Sequence, residues 1–166
     1  MKRTLRTIAA AAAMTVAAAM AAGPAEAAKS ITFTLGDQSS PISSYSWGAL
    51  NAASVGSSGG GAGSGKVSVQ DFHMTKETDA MSVSLARATF TGQHLPAAAL
   101  TFNNGPFTTA YCFKDVFVTS FQNGATSGQD RPVDQISLAF AQVGFRVGTD
   151  SFNWDIVANQ GGDNPC

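Results

Sequence analysis

The chain has 166 residues, with 10 Lys and Arg against 11 Asp and Glu, and 13% charged residues against 44% hydrophobic ones. A formal net charge of −1 offers no basic field for a phosphate backbone or an anionic bilayer, which excludes nucleic-acid binding and charge-driven membrane binding. The length suits a single domain with a core of its own.

Lys2, Arg3 and Arg6 precede an uncharged, Ala-rich run from Ile8 to Ala22, and Ala25-Glu26-Ala27 offers an A-x-A cleavage site before Ala28. This pattern predicts a secretory signal peptide over residues 1–27, cut between Ala27 and Ala28, and an exported protein. The 139 residues that follow carry a formal charge of −3, because the leader holds three of the basic residues and one of the acidic ones. No second apolar run is long enough to span a bilayer. The mature protein is therefore expected to be secreted or periplasmic, without membrane insertion.

Ile31, Phe33 and Leu35 alternate with threonines as a first strand. Residues 36–41 read as a turn-rich connection. A second strand is expected over residues 42–51, with Tyr45, Trp47 and Ala49 on one face and Ser44, Ser46 and Gly48 on the other. Residues 55–65 are a Gly/Ser tract that cannot pack a core and read as a loop. Residues 66–76 form a strand whose apolar phase moves from Val67 and Val69 to Phe72 and Met74, which places a bulge near Gln70-Asp71.

Residues 78–91 predict the one helix. Thr78 or Asp79 can cap its start, Met81, Leu85 and Ala88 form one apolar stripe, and Gly92 supplies a left-handed stop. Its narrow apolar face suits a plug at a barrel end or a cover on a sheet edge. Strands over residues 97–102 and 107–121 are joined by the hairpin signal Asn103-Asn104-Gly105-Pro106. After a Gly-containing loop comes the longest alternating run, in which Ile136, Leu138 and Phe140 give way to Val143, Phe145 and Val147. That change of phase predicts a bulge in a long, curved strand closing a β-barrel. Residues 28–147 thus form a β-barrel domain, and residues 148–166 read as a polar tail with Trp154 and Ile156 able to dock.

The two cysteines, Cys112 in a strand and Cys166 in the tail, are expected to pair in an oxidising compartment and tie the tail back. A loop of that span corresponds to about 4 kcal/mol in the chain-entropy treatment. A buried thiol at Cys112 with an intermolecular bond at Cys166 is the alternative.

Chemistry-bearing motifs are weak. Residues 60–66 fit the G-x-x-x-x-G-K core of a phosphate loop, but Val67 stands where Ser or Thr must hold magnesium, and a strand follows instead of a helix. Residues 56–60 match G-x-S-x-G inside a low-complexity tract, not on a strand-to-helix turn. His73 and His94 have no spacing that pairs either one with an acid and a nucleophile. Asp150, Asp155 and Asp163 lack the dense spacing of a calcium loop. These residues predict no catalytic site, no metal site and no cofactor.

One succession of residues carries a resemblance. Tyr45-Ser46-Trp47-Gly48, the Gly-rich loop, Gly65-Lys66-Val67-Ser68-Val69-Gln70-Asp71-Phe72 and Thr75-Lys76 are followed by the helix and by Gly92-Gln93-His94-Leu95-Pro96. Lys114-Asp115-Val116 and Ser127-Gly128-Gln129-Asp130-Arg131 then lead into residues 136–141. In order and spacing this resembles the haemolysin-coregulated protein (Hcp) family of type VI secretion tube proteins over roughly residues 43–147. The residues that carry the likeness are Trp47, Gly48, Lys66, Gln70, Asp71, Lys76, Asp115, Asp130 and Arg131.

The resemblance implies a mainly β fold, a compact β-barrel of two antiparallel sheets with one short helix. It implies a non-enzymatic homo-oligomer of six barrels in a ring, with rings stacking into a tube that carries protein cargo. By the same analogy, the loop holding Val55, Gly59, Gly60, Gly61, Gly63 and Gly65 lies at a ring or stacking contact. The alternative is a monomeric secreted binding module using that loop or the Tyr45/Trp47 face. A secreted hydrolase would need His94 beside a serine and an acid in a cleft.

Overall fold

The computed structural model describes residues 29–53 and 65–162. The expectations for residues 1–27, the Ala27/Ala28 cut, Val55, Gly59, Gly60, Gly61, Gly63, Asp163 and Cys166 lie outside the described residues.

The first hairpin joins β1 (Ser30–Leu35) to β2 (Gln38–Pro41). Its turn uses Gly36 at φ +56, a left-handed conformation that glycine adopts without strain. Residues 42–51, expected as one strand, are instead broken into β3 (Ser44–Ser46) and β4 (Ala49–Asn51). β5 (Val67–Val69) pairs with β4 as a separate two-stranded sheet, and β6 (Phe72–Glu77) pairs with β3. The irregularity expected at Gln70-Asp71 is therefore a full passage between two sheets. The remaining elements are α1 (Ala80–Thr91), β7 (Leu95–Asn104), β8 (Phe107–Gly124), β9 (Val133–Val147), β10 (Asp150–Asp155) and β11 (Gln160–Gly161).

Among the described residues every strand pair is antiparallel; outside the β4–β5 pair, nine strands form one sheet with the order β11-β10-β9-β8-β7-β1-β2, with β6 on β9 and β3 on β6. The described residues are mainly β with one short helix, as the sequence predicts. β9 is its central strand. It pairs with β8 along one side, and along the other with β6 over its first half and β10 over its second. The expected closure of the barrel by this strand does not occur, and the ladder is not a continuous closed ring. Residues 38–46 bridge the gap: β2 pairs with β1, β3 pairs with β6, and the Ser43 N–H donates to Thr75 O at 2.8 Å.

The expected bulge in β9 is also corrected. Phe113 and Val143 face inward as one pair, and Val116 and Phe140 face inward as the next, with register kept from Lys114↔Gln142 to Val116↔Phe140. Both strands thus exchange faces at one level, where Asp115 takes φ +53. The register shift lies in β8, between Val118 and Ser120. Residues 150–155, read as part of a polar tail, form a strand on β9. Trp154 and Ile156 pack against the core from there.

The inward faces converge on Phe33, Phe72, Leu85, Leu100, Phe113, Val116 and Leu138, all fully buried. Phe113 lies 4.9 Å from Phe72 and 4.7 Å from Phe140 between ring centroids, within the range of favourable aromatic pairs. Tyr45 stacks on Phe72 at 5.6 Å, and burial, followed by the hydrogen bond and charge of Tyr111, pushes its pKa up to about 12.

Candidate functional site

The alternation of β6 that buries Phe72 and Met74 also turns Lys76 inward, and that of β9 turns Asp134 inward beside Ile136 and Leu138. The two are directly opposed across the β6/β9 ladder, and each side chain is 0% exposed. Lys76 Nζ donates to Asp79 Oδ1 at 2.7 Å, Glu77 O at 2.7 Å, Ser82 Oγ at 3.0 Å and Asp134 Oδ2 at 3.3 Å. Asp134 further accepts from Ser82 Oγ, from Thr78 Oγ1 at 2.9 Å and from Asn123 Nδ2 at 2.7 Å. A buried ion pair needs such added donors to offset its desolvation.

The start of α1 is built into the same cluster. Asp79 is the N-cap, accepting from the Met81 N–H at 2.9 Å, while its own N–H donates to Ser82 Oγ at 2.9 Å in a capping box. Ser40 of β2 donates to the other Asp79 oxygen. Five elements are thereby tied to one lysine: β2, β6, α1, β8 and β9. Burial pushes the Asp79 carboxyl up, but hydrogen bonds from Lys76 and Ser40 and the lysine charge leave it below the usual carboxylate range. At Asp134 burial is likewise outweighed, by donors from Ser82, Asn123 and Thr78 and by the charge of Lys76.

Of the motif residues, Lys76 is the one drawn into this cluster. Trp47 packs edge-on to Tyr111 and Phe140, with centroids 5.9 and 6.5 Å away. It also lines a groove of about 260 Å³ with Val67, Val69, Phe152 and Trp154. Gly48 and Gln70 approach closely where the chain changes sheets: the Gln70 N–H donates to Gly48 O at 2.9 Å, and a Cβ on Gly48 would stand 3.3 Å from Gln70 Oε1. At the base of the β4–β5 hairpin, a Cβ on Gly65 would stand 2.7 Å from Ala52 O. Asp71 accepts from Thr119 Oγ1 at 2.6 Å. Lys66, Asp130 and Arg131 are exposed.

The partners of Lys76 were missed by sequence reading, although the signal existed. A lysine and an aspartate each occupied the inward phase of an otherwise apolar strand, where an unpaired charge is not tolerated.

The histidines do not assemble a catalytic triad. His73 Nδ1 lies 2.8 Å from Ser137 Oγ across the β6/β9 ladder, whereas His94 Nε2 lies 3.0 Å from Asp115 Oδ1 beside the ring of Phe117. Serine and acid are thus paired with different histidines, and both histidines are exposed. Among the described residues no group of three or more His, Cys, Asp or Glu is arranged to hold a metal ion, and no helix is long and apolar enough to cross a membrane.

The outward face of α1 sets two exposed apolar side chains, Val83 and Phe90, on either side of the exposed Arg87. Val83 is 62% exposed and Phe90, one helical repeat on, is 88% exposed. The cluster beneath the helix start fixes the orientation of this face on the sheet.

Comparisons with known proteins place this geometry. Residues 35–146 match the family described as "Type VI secretion system effector, Hcp". Protein hcp1 of Pseudomonas aeruginosa strain PAO1 is 37% identical over 83 residues, 47% of this chain and 51% of that protein. The chain thus spans about half the length of this curated relative. A solved type six secretion system protein superimposes with a TM-score of 0.72 at 26% identity, covering 81% of this chain and 100% of that one. Hcp1 from Salmonella typhimurium gives a TM-score of 0.67 at 21% identity, covering 81% and 99% of the two chains, a likeness of fold alone. With its family match running from the end of β1 almost to the end of β9, this chain belongs to the Hcp family of type VI secretion proteins.

Proposed function

We propose that this chain is a secreted, non-catalytic Hcp protein that self-associates into a six-membered ring of the tube-forming kind. One observation carries the reading: the fold overlays the full length of a solved type six secretion system protein, with no part of that protein left over. Self-association would also cover the exposed Val83 and Phe90 of α1, which stand in water on an isolated subunit. A closed ring further pairs or covers strand edges that would otherwise be open to uncontrolled association.

Within this reading the partners are copies of the same chain, other secretion components and protein cargo. The loop holding Val55, Gly59, Gly60, Gly61, Gly63 and Gly65 is assigned to a contact between subunits. Residues 1–27 direct export and are removed at Ala27/Ala28, which the N-terminal residue of the exported protein tests directly.

Light scattering of the oxidised protein over a concentration series tests the assembly. A species of six subunits that persists on dilution supports it. A monomer at every concentration overturns it and leaves a secreted binding module.

A further inference from the structure

Two Asn-Gly pairs stand at strand ends, Asn104-Gly105 at the close of β7 and Asn123-Gly124 at the close of β8. In such a pair the backbone nitrogen of the glycine can reach the side-chain carbonyl carbon of the asparagine, because no Cβ on the glycine holds the two apart. The unfolded chain offers this chemistry at both positions. The fold treats them differently.

Asn123 is tied down. Its Nδ2 donates to Thr78 Oγ1 and to Asp134 Oδ1, each at 2.7 Å, so it belongs to the cluster around Lys76. Its acceptors are held in turn: Thr78 Oγ1 donates to Asp134 Oδ1 at 2.9 Å, and Lys76 and Ser82 hold the other Asp134 oxygen. The backbone is fixed as well, with Asn123 paired to Asp134 and Gly124 to Val133 in the β8/β9 ladder. Reaction at Asn123 requires both side-chain bonds to break before Cγ can turn towards the next nitrogen.

Asn104 has none of these restraints. It makes the closing pair of the β7–β8 hairpin opposite Phe107, and Gly105 and Pro106 form the turn beyond it. The Gly105 nitrogen therefore lies past the end of the ladder. Gly105 takes φ +63, and nothing stands within 4 Å of where its Cβ would be. No hydrogen bond holds the Asn104 side chain among the described residues. Exposure by itself ranks the two sites the other way, since Asn123 is exposed and Asn104 is partly buried.

We propose that Asn104 is a site of covalent self-modification in the folded chain, and that the Lys76 cluster withholds the same reaction from Asn123. At Asn104 the Gly105 nitrogen gives its proton to solvent base and bonds to Cγ. The Cγ–Nδ2 bond breaks, and the nitrogen takes up a proton and leaves as ammonia. Water then opens the cyclic imide at either carbonyl, which gives an aspartyl or an isoaspartyl residue. Water is consumed and ammonia released in equal amounts, with no oxidant or reductant. Either product adds a negative charge at the hairpin tip, and the isoaspartyl form also lengthens the backbone next to the Asn104↔Phe107 pair. That tip adjoins the β9–β10 turn, where the Gly148 N–H donates to Thr108 O at 3.2 Å. At Asn123 the same product would set a carboxylate against Asp134 in place of a donor, so the cluster that restrains Asn123 is also what the restraint preserves.

The full chain is held at mildly alkaline pH, both native and in guanidinium chloride, and peptide mapping follows the aspartyl and isoaspartyl products at each position. Each site is compared with its own denatured rate. Folding should slow Asn123 by about tenfold or more beyond any slowing of Asn104, because Asn123 must first give up a hydrogen bond to a charged group. Asn104→Gln should remove the fast product and leave the rate at Asn123 unchanged. Amide exchange at Phe107 to Thr109 should quicken in the isoaspartyl fraction, while β6 stays protected. Equal slowing at the two sites, faster native conversion at Asn123, or no native conversion at Asn104 while the denatured chain reacts would each overturn the assignment.

Discussion

Replacing Lys76 by Met tests whether the buried cluster holds the fold together. The methionine keeps the apolar stem and removes the ammonium group that reaches Asp79, Glu77 O, Ser82 and Asp134. Asp79 retains 29% side-chain exposure and can turn to water, so the penalty falls on Asp134. Its carboxylate would remain buried with three neutral donors and no counter-ion. Breaking a buried pair from one side costs about 3–5 kcal/mol. The donors left from Ser82, Thr78 and Asn123 place the loss at the lower end, about 3 kcal/mol, a large part of a typical domain's stability. Asp134→Leu leaves Lys76 paired with Asp79 and Asn123 still donating to Thr78 Oγ1, but removes the acceptor of Ser82 and Thr78, for a loss of about 2 kcal/mol. The double variant leaves neither charge stranded, so its loss should fall well short of the sum, by about 2 kcal/mol or more. Urea unfolding with m-values for all four proteins measures this coupling. A loss below about 1 kcal/mol for Lys76→Met, or additivity within ~0.5 kcal/mol, would refute the cluster's role.

Three other outcomes follow from the same geometry. Asp79 and Asp134 both have folded pKa values below the unfolded carboxylate value, so the unfolded state binds protons first as the pH drops. Their contribution should be complete above about pH 4 and fade as the pH falls through the depressed folded values. A urea midpoint that stays level down to pH 2, or one whose acid slope survives Asp134→Asn unchanged, would contradict this. Gly92→Ala forces a side chain into φ +61 at the end of α1 and should cost about 1 kcal/mol in thermal or urea unfolding. Gly124→Ala, in open space with no positive φ, is its neutral control. Gly65→Ala drives a methyl group to 2.7 Å from Ala52 O, so hydrogen exchange should quicken at β4 and β5 and not at β8. Unchanged exchange there would show that the hairpin base has room.

Features written within a few neighbouring residues are legible in the amino-acid sequence by itself. The period of two in residues 31–35 and 136–140, the Asp79 and Gly92 caps, and the turn at Gly105 each depend on local backbone chemistry, which is why the mainly β class and the single helix emerge from sequence. The ordered set from Trp47 to Arg131 likewise carries the Hcp likeness in residue order and spacing alone. Tertiary structure decided what depends on partners distant in sequence. Residues 42–51 alternate well enough for one strand, but they divide because β3 must pair with β6 while β4 pairs with β5. The change of phase in β9 could not be assigned to one strand, because Asp115 on β8 shares it. Residues 150–155 are polar enough to read as a tail until β9 offers its free edge. Lys76 and Asp134 lie 58 positions apart, and only folding shows that two charges placed on the inward phase of two strands become partners.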